Sequence, residues 1–179
     1  MSLKSASINE IKKELGFLNE AELIALCLKL GKYKKENKEL LNYLLFEASN
    51  ETQFIENAKE EIALIFDQIN TTNSYLAKKT IRKALKHVRK YAKYAGLAST
   101  EIILTSYFCQ QILASGISLN SNIALYNLYA NQLKRIEKLI AGMHEDLRDD
   151  FQEYLSELQK FPKKWQKNSP VIANETILN

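Results

Sequence analysis

Residues 74–95 read SYLAKKTIRKALKHVRKYAKYA and contain no proline, glycine or acid. The apolar residues recur at spacings of three and four, which keeps them on one side of an α-helix. At roughly 100° per residue they fall between about 240° and 340° from Lys78. They are Ala77, Ile81, Ala84, Leu85, Val88, Ala92 and Ala95. The segment therefore predicts an amphipathic helix whose apolar side packs on a core.

The same period continues on both sides of this segment. Both prolines, Pro162 and Pro170, lie near the end, so none removes an amide donor from the first 161 residues. The third predicted helix has its apolar residues at Leu40, Leu41, Leu44, Leu45 and Ala48. Segment 102–108 has a strand-like composition, but its block is too long for a strand and predicts helix. The predicted helices span 7–15, 20–30, 32–48, 51–69, 74–95, 99–115, 120–141 and 144–161.

Helix ends are signalled by caps and glycines. Ser7 with Glu10 and Asn19 with Glu22 have the spacing of a capping box, and Ser99 is predicted to cap the sixth helix. Five glycines follow apolar-periodic stretches, where a left-handed C-cap favours a residue without Cβ. These predicted helix stops are Gly16, Gly31, Gly96, Gly116 and Gly142.

These elements predict an all-α protein of about seven or eight helices arranged as antiparallel hairpins. Helices two and three, four and five, and six and seven form hairpins of roughly 40 residues, a layout similar to HEAT repeats. A short HEAT-like solenoid and an irregular helical bundle both fit. We expect one domain over residues 1–161 and a partly flexible tail over 162–179, which contains Trp165.

Composition favours a globular protein with its own core. Apolar residues make up 46% and charged residues 26% of the chain, as in ordinary globular domains. Cys27 and Cys109 stand alone in apolar segments, so both are expected to be small buried side chains. The start leads into polar residues and the longest apolar run, 23–28, is short, which predicts neither a signal peptide nor a membrane span. A cytoplasmic location is expected.

One charge pattern stands out within residues 74–95. The segment carries eight cations and no acid, whereas the whole chain has a net charge of only +4. All eight fall inside an arc of roughly 140° opposite the apolar side. We call this set the basic face: Lys78, Lys79, Arg82, Lys83, Lys86, Arg89, Lys90 and Lys93. Like charges four residues apart repel, so a partner that offsets the repulsion is expected.

Several partners fit the basic face. A nucleic-acid backbone could bind by counterion release, with His87 and Tyr94 placed to stack on a base. An acidic protein is a second possible partner, because it is negatively charged like the phosphates. Alternatively, the acids of the fourth helix and of the eighth helix could pair with it inside one molecule or across a homodimer, or the face is simply solvated. A membrane surface is not expected, because the apolar side is mostly alanine.

Catalytic motifs are not found, so the sequence predicts a binding module and not an enzyme, with no cofactor or metal. Arg82 and His87 have a spacing similar to the Arg-x(4-6)-His motif of HEPN-type ribonucleases. Lys83, however, stands where that motif has Asn, Asp or His, and the pair is about 140° apart on the helix. The acids that open the eighth helix are expected to favour the positive end of the helix dipole and need no metal.

Overall fold

The structure, a computed structural model, describes residues 5–119 and 122–160. Within these residues it contains α-helices and one π-helical segment, and no strand. The predicted all-α fold of seven or eight helices is therefore confirmed. The elements are α1 Ile8–Leu15, α2 Glu20–Tyr33, α3 Lys35–Asn42, the π-helical segment Tyr43–Glu47, α4 Glu51–Phe66, α5 Ser74–Ala95, α6 Ala98–Ala114, α7 Ile123–Ala141 and α8 Glu145–Gln159.

Contacts group the chain into two compact units, residues 1–49 and 50–179, called here the N-terminal unit and the C-terminal unit. The single domain predicted over residues 1–161 thus covers the whole N-terminal unit and most of the C-terminal unit. The predicted tail, residues 162–179, lies outside the described residues.

The C-terminal unit is a helical bundle in which α6 occupies the centre. Helix α6 packs against α4, α5, α7 and α8. Neighbours on several sides bury Ile102, Leu104, Thr105, Ser106 and Phe108, which lie around much of the helix circumference. This explains the strand-like composition of segment 102–108: a helix buried on several faces needs no polar stripe.

Helix α5 packs against α4 and α6 through the side that its periodicity predicts. Six of the seven predicted apolar residues are buried, Ala95 is half-buried, and Tyr91 joins the buried side. The helix begins at Asn73, whose side chain accepts hydrogen bonds from the backbone N–H groups of Tyr75 and Leu76. It ends at Gly96, which has φ 67° in the left-handed region that favours glycine. Both ends of α5 are therefore set by local chemistry.

The two capping boxes of the N-terminal unit form as predicted. Ser7 and Glu10 exchange hydrogen bonds at the start of α1, and Asn19 and Glu22 do so at the start of α2. The bond from the Ser7 backbone N–H holds the pKa of Glu10 below its usual value. The capping-box spacing predicts these helix starts well because it depends on residues only three positions apart.

Gly31 does not end a helix, so the predicted stop there is wrong. It lies inside α2, which continues to Tyr33, and the break falls at Lys34 with an extended backbone. A Cβ at Gly31 would lie 2.9 Å from Cδ1 of Leu41, so the glycine allows α3 to approach α2 closely. The third helix consequently begins at Lys35 and not at residue 32.

The apolar stripe predicted for the third helix is interrupted by the π-helical segment. The extra residue in a π-turn rotates the side chains that follow it. Tyr43 is buried as a result, whereas Leu44, Leu45 and Phe46 are exposed, as is Ala48. The expectation of a continuous buried stripe through residue 48 was wrong for this reason.

Three smaller predictions also need correction. Ser99 does not cap α6, because the helix already begins at Ala98 directly after the Gly96 turn. Cys27 is exposed, whereas Cys109 is buried as predicted. Gly16 and Gly142 close their helices in the right-handed region, so only Gly96 and Gly116 have the expected positive φ.

Candidate nucleic-acid interface

The basic face lies on the side of α5 away from α4 and α6. Six of its eight cations are exposed and two, Lys78 and Lys90, are half-buried. From Lys78 to Lys93 the helix rises about 22 Å, at 1.5 Å per residue. Because the buried side of α5 is packed in the bundle, the backbone positions that carry the cations are held on one side of the helix.

Seven of these cations have no carboxylate partner among residues 5–119 and 122–160. No nitrogen of theirs lies within 4.0 Å of a described carboxylate oxygen. The eighth, Lys90, places Nζ 4.6 Å from the centre of the Tyr91 ring. The seven are Lys78, Lys79, Arg82, Lys83, Lys86, Arg89 and Lys93.

Three of the four acids of α4 have described partners outside the basic face. Glu51 accepts a hydrogen bond of 2.6 Å from the Thr100 hydroxyl of α6, and Glu56 pairs with Lys59 one turn along its own helix, at 2.7 Å. Glu61 accepts a hydrogen bond from the Tyr91 hydroxyl and lies 3.8 Å from Nδ1 of His87. Between α4 and α5, the Glu61 carboxylate thus contacts Tyr91 and His87, at the margin of the basic arc.

The acids of α8 form a second exposed charged surface. Helix α8 packs on α6 and α7, and its six acids are all exposed. Asp146 lies 3.2 Å from Nδ1 of His144, the only close contact of these acids with a basic side chain among the described residues. They are Glu145, Asp146, Asp149, Asp150, Glu153 and Glu157. The C-terminal unit therefore carries separate basic and acidic surfaces.

A groove of about 410 Å³ borders the basic face where α5, α6 and α7 meet. Leu85, Val88 and Ala92 contribute apolar surface to it, and Arg89 belongs to both the groove and the basic face. The remaining lining residues are Glu101, Thr105, Asn131, Gln132 and Arg135. A cation of the basic face thus lies beside polar groups that could contact a bound strand.

Within this groove the Arg135 guanidinium donates two hydrogen bonds to the Glu101 carboxylate, at 2.6 and 2.8 Å. The pairing raises the pKa of Arg135 above its usual value. Sequence reasoning did not find this contact, because residues 34 positions apart on different helices share no local pattern. The groove therefore depends on tertiary packing, and no sequence motif predicts it.

His87 and Tyr94, proposed from sequence as stacking groups, are half-buried and contact Tyr91. The ring centres of His87 and Tyr91 are 6.0 Å apart, with an edge-to-face angle of 68°. His87 thus lies on the α4 side of the helix beside Glu61, whereas Arg82 is exposed on the basic face. The structure places the two on different sides, as the wheel predicts.

None of the described helices has the length and apolar character needed to cross a membrane. Comparison of the chain with protein-family models, with curated proteins and with solved structures finds no match.

Proposed function

We propose that the protein is a non-enzymatic binding module that contacts the phosphate backbone of a nucleic acid through the basic face of α5. One observation carries the proposal: seven of its eight cations have no carboxylate partner among the described residues, and six of the eight are exposed. Such a nucleic acid would be met in the cytoplasm, where the sequence predicts the protein to reside.

Binding of this kind depends on release of counterions from the phosphates and not on reading bases. The cations lie along about 22 Å of helix, a length over which duplex DNA presents several phosphates. We therefore expect affinity that falls steeply with salt and varies little with sequence.

Repulsion inside α5 supports a functional role for the basic face. Lys78 and Arg82, Arg82 and Lys86, and Lys86 and Lys90 are each four residues apart, and each such pair costs about 0.2–0.5 kcal/mol in an isolated helix. Unfavourable local interactions of this kind are expected mainly at functional sites. A bound polyanion would offset the repulsion between these cations.

Titration against labelled single- and double-stranded RNA and DNA at several salt concentrations tests the proposal. Lys79/Arg82/Lys86→Glu should abolish binding, because it reverses three exposed cations at the centre of the face. Lys12/Lys13/Lys38→Glu makes the same change in net charge at exposed positions of α1 and α3 and should bind like the wild type.

The salt dependence gives a second readout. For a duplex, the slope of log K against log salt should fall by about 0.9 for each phosphate contact that a single substitution removes. Absence of binding at low salt, or equal losses in both triple variants, would reject the proposal. Binding of an acidic polypeptide but of no nucleic acid would identify an acidic protein as the partner.

The exposed acids of α8 favour a second candidate, an assembly protein in which α8 of one copy pairs with α5 of another. Such contacts join unlike surfaces and are strengthened at low salt. Asp149→Lys/Asp150→Lys should then abolish the part of self-association that high salt also abolishes, and leave nucleic-acid binding intact or stronger. Salt-sensitive self-association that survives this change would reject the candidate.

A further inference from the structure

The N-terminal unit exposes far more apolar surface than the C-terminal unit. Of the 18 large apolar side chains exposed among the described residues, 11 lie between Ile8 and Phe46 and seven in the longer remainder. Phe17 is 82% exposed and Phe46 is 72% exposed. Scattered apolar residues are ordinary on a protein surface, but a concentration in one short segment marks an interaction surface.

Helix α2 arranges part of this surface as a stripe. At roughly 100° per residue, five of its exposed apolar residues fall within about 160°, whereas Tyr33 lies outside this arc. The stripe consists of Leu23, Ile24, Cys27, Leu28 and Leu30, all exposed. Cys27 lies near its centre, and Glu20, in the first turn, is the one charged residue within the arc. Lys29 and Lys32 lie outside it, so the stripe is a continuous apolar face.

The N-terminal unit has little core of its own to stabilise it. Tyr43 is its one buried residue among those described. Units of fewer than about 50 residues usually need a disulfide, a metal or an association to fold stably. Cys27 forms no disulfide, and the described residues contain no cluster that could hold a metal. Association therefore remains as the source of stability.

We propose that a second copy of this chain covers the α2 stripe, forming a homodimer through the two N-terminal units. Only four of the 11 exposed side chains lie in the stripe, but all 11 together present on the order of 1,000 Å² of apolar surface. Each partner in a standard interface contributes about 800 Å², so the contact extends from the stripe to other exposed apolar residues of the N-terminal unit. Among the described residues, only another N-terminal unit offers a surface as rich in apolar groups.

Charge supports a copy of the same chain as the occupant. Residues 5–49 contain seven acids and seven lysines, so their net charge is zero. Two such surfaces meet without net repulsion, whereas an anionic membrane favours a helix with an excess of cations. A twofold contact between identical patches is also the commonest arrangement in homo-oligomers.

The protein contains a natural reporter for this contact. Cys27 is exposed within the stripe, whereas Cys109 is fully buried and burial raises the pKa of its thiol, so only Cys27 should react with a thiol reagent in the folded protein. We would measure molar mass by sedimentation and the rate of Cys27 modification over the same range of protein concentrations. The proposal requires the mass to double and the modification rate to fall together.

Variants and salt locate the contact. The Ile24→Glu variant should have the mass of a monomer at every concentration, and its Cys27 should react fast. Ala25 is exposed but lies outside the stripe, so the Ala25→Glu variant should dimerise like the wild type. The dimer should persist at high salt, unlike an assembly formed by α5 and α8.

A monomer at every concentration would overturn the proposal. This holds if Cys27 reacts fast throughout, and also if it reacts slowly throughout because the same chain covers the stripe. A dimer in which Cys27 keeps its monomer rate would overturn the assignment to α2. The wild-type measurement decides these cases even if Ile24→Glu fails to fold.

Discussion

The Arg135 guanidinium engages the Glu101 carboxylate in the groove that also contains Arg89, and Arg89 has no carboxylate partner among the described residues. Three charged side chains from three helices meet there, and two of them neutralise each other. The contact therefore neutralises an acid that lines the same groove as a cation of the basic face.

Changing either member of the pair should shift nucleic-acid affinity in opposite directions. Arg135→Gln releases Glu101 to pair with Arg89, and should weaken binding by about twofold to fivefold, the range for an exposed charge pair. Glu101→Gln removes the acid and should strengthen binding by a similar factor. The measurement is the dissociation constant at low and moderate salt. Equal effects of the same sign would contradict this role for the pair.

Arg82→Glu should stabilise the folded protein while it weakens binding. The substitution converts repulsion with Lys78 and Lys86 into attraction, which we expect to add about 1 kcal/mol to the free energy of unfolding at low salt. Arg82→Gln should give about half of that gain. Urea unfolding followed by circular dichroism at low and high salt measures both, and a gain that does not shrink with salt would exclude the electrostatic explanation.

Gly96→Ala should destabilise the protein by about 1 kcal/mol, because a Cβ is unfavourable in the left-handed region. The site has φ 67° and no atom within 4 Å of the added Cβ, so backbone strain alone is tested. Gly142→Ala is the matched control: it closes α7 at φ −86° and should be neutral or slightly stabilising. Thermal unfolding of both variants checks the difference, and equal shifts would argue against a conformational cause.

Tyr129→Phe should cost about 1 kcal/mol at neutral pH, because it removes a hydrogen bond inside the core. Tyr129 is fully buried on α7, and its hydroxyl donates to the Leu158 carbonyl of α8 at 3.0 Å. Unfolding in urea at pH 7 measures the loss. An unchanged free energy of unfolding would show that the bond contributes nothing net.

The same variant should also change the response to alkaline pH. Burial raises the pKa of Tyr129 above its ordinary value, so the folded protein keeps this proton after the unfolded chain has lost it. Above pH about 10 the unfolded state binds fewer protons, and wild-type stability falls as pH rises. In Tyr129→Phe the fall should be shallower but not absent, because burial also raises the pKa of Tyr107. Parallel stability curves for the two proteins between pH 9 and 11 would contradict this account.

Local chemistry made much of the fold predictable. The period of the apolar residues in α4 and α5 placed these helices and their buried sides, and the capping boxes at Ser7 and Asn19 fixed two starts. The prediction failed where the role of a residue depends on tertiary packing or on a local departure from the α-helix. Gly31 was interpreted as a helix stop although it makes room for Leu41, and the π-turn at Tyr43 rotated three apolar side chains into solvent.

The sequence by itself determined that residues 5–119 and 122–160 fold without strands into helices, and that eight cations share one side of α5. Both follow from a period of 3.6 residues along continuous segments. Only the tertiary structure decided which residues the acids near α5 contact. Glu51 bonds to Thr100, Glu61 to Tyr91 and Glu101 to Arg135, across separations of 30 to 49 residues. Such contacts depend on how whole helices pack, and packing brings together residues whose spacing in the sequence has no period.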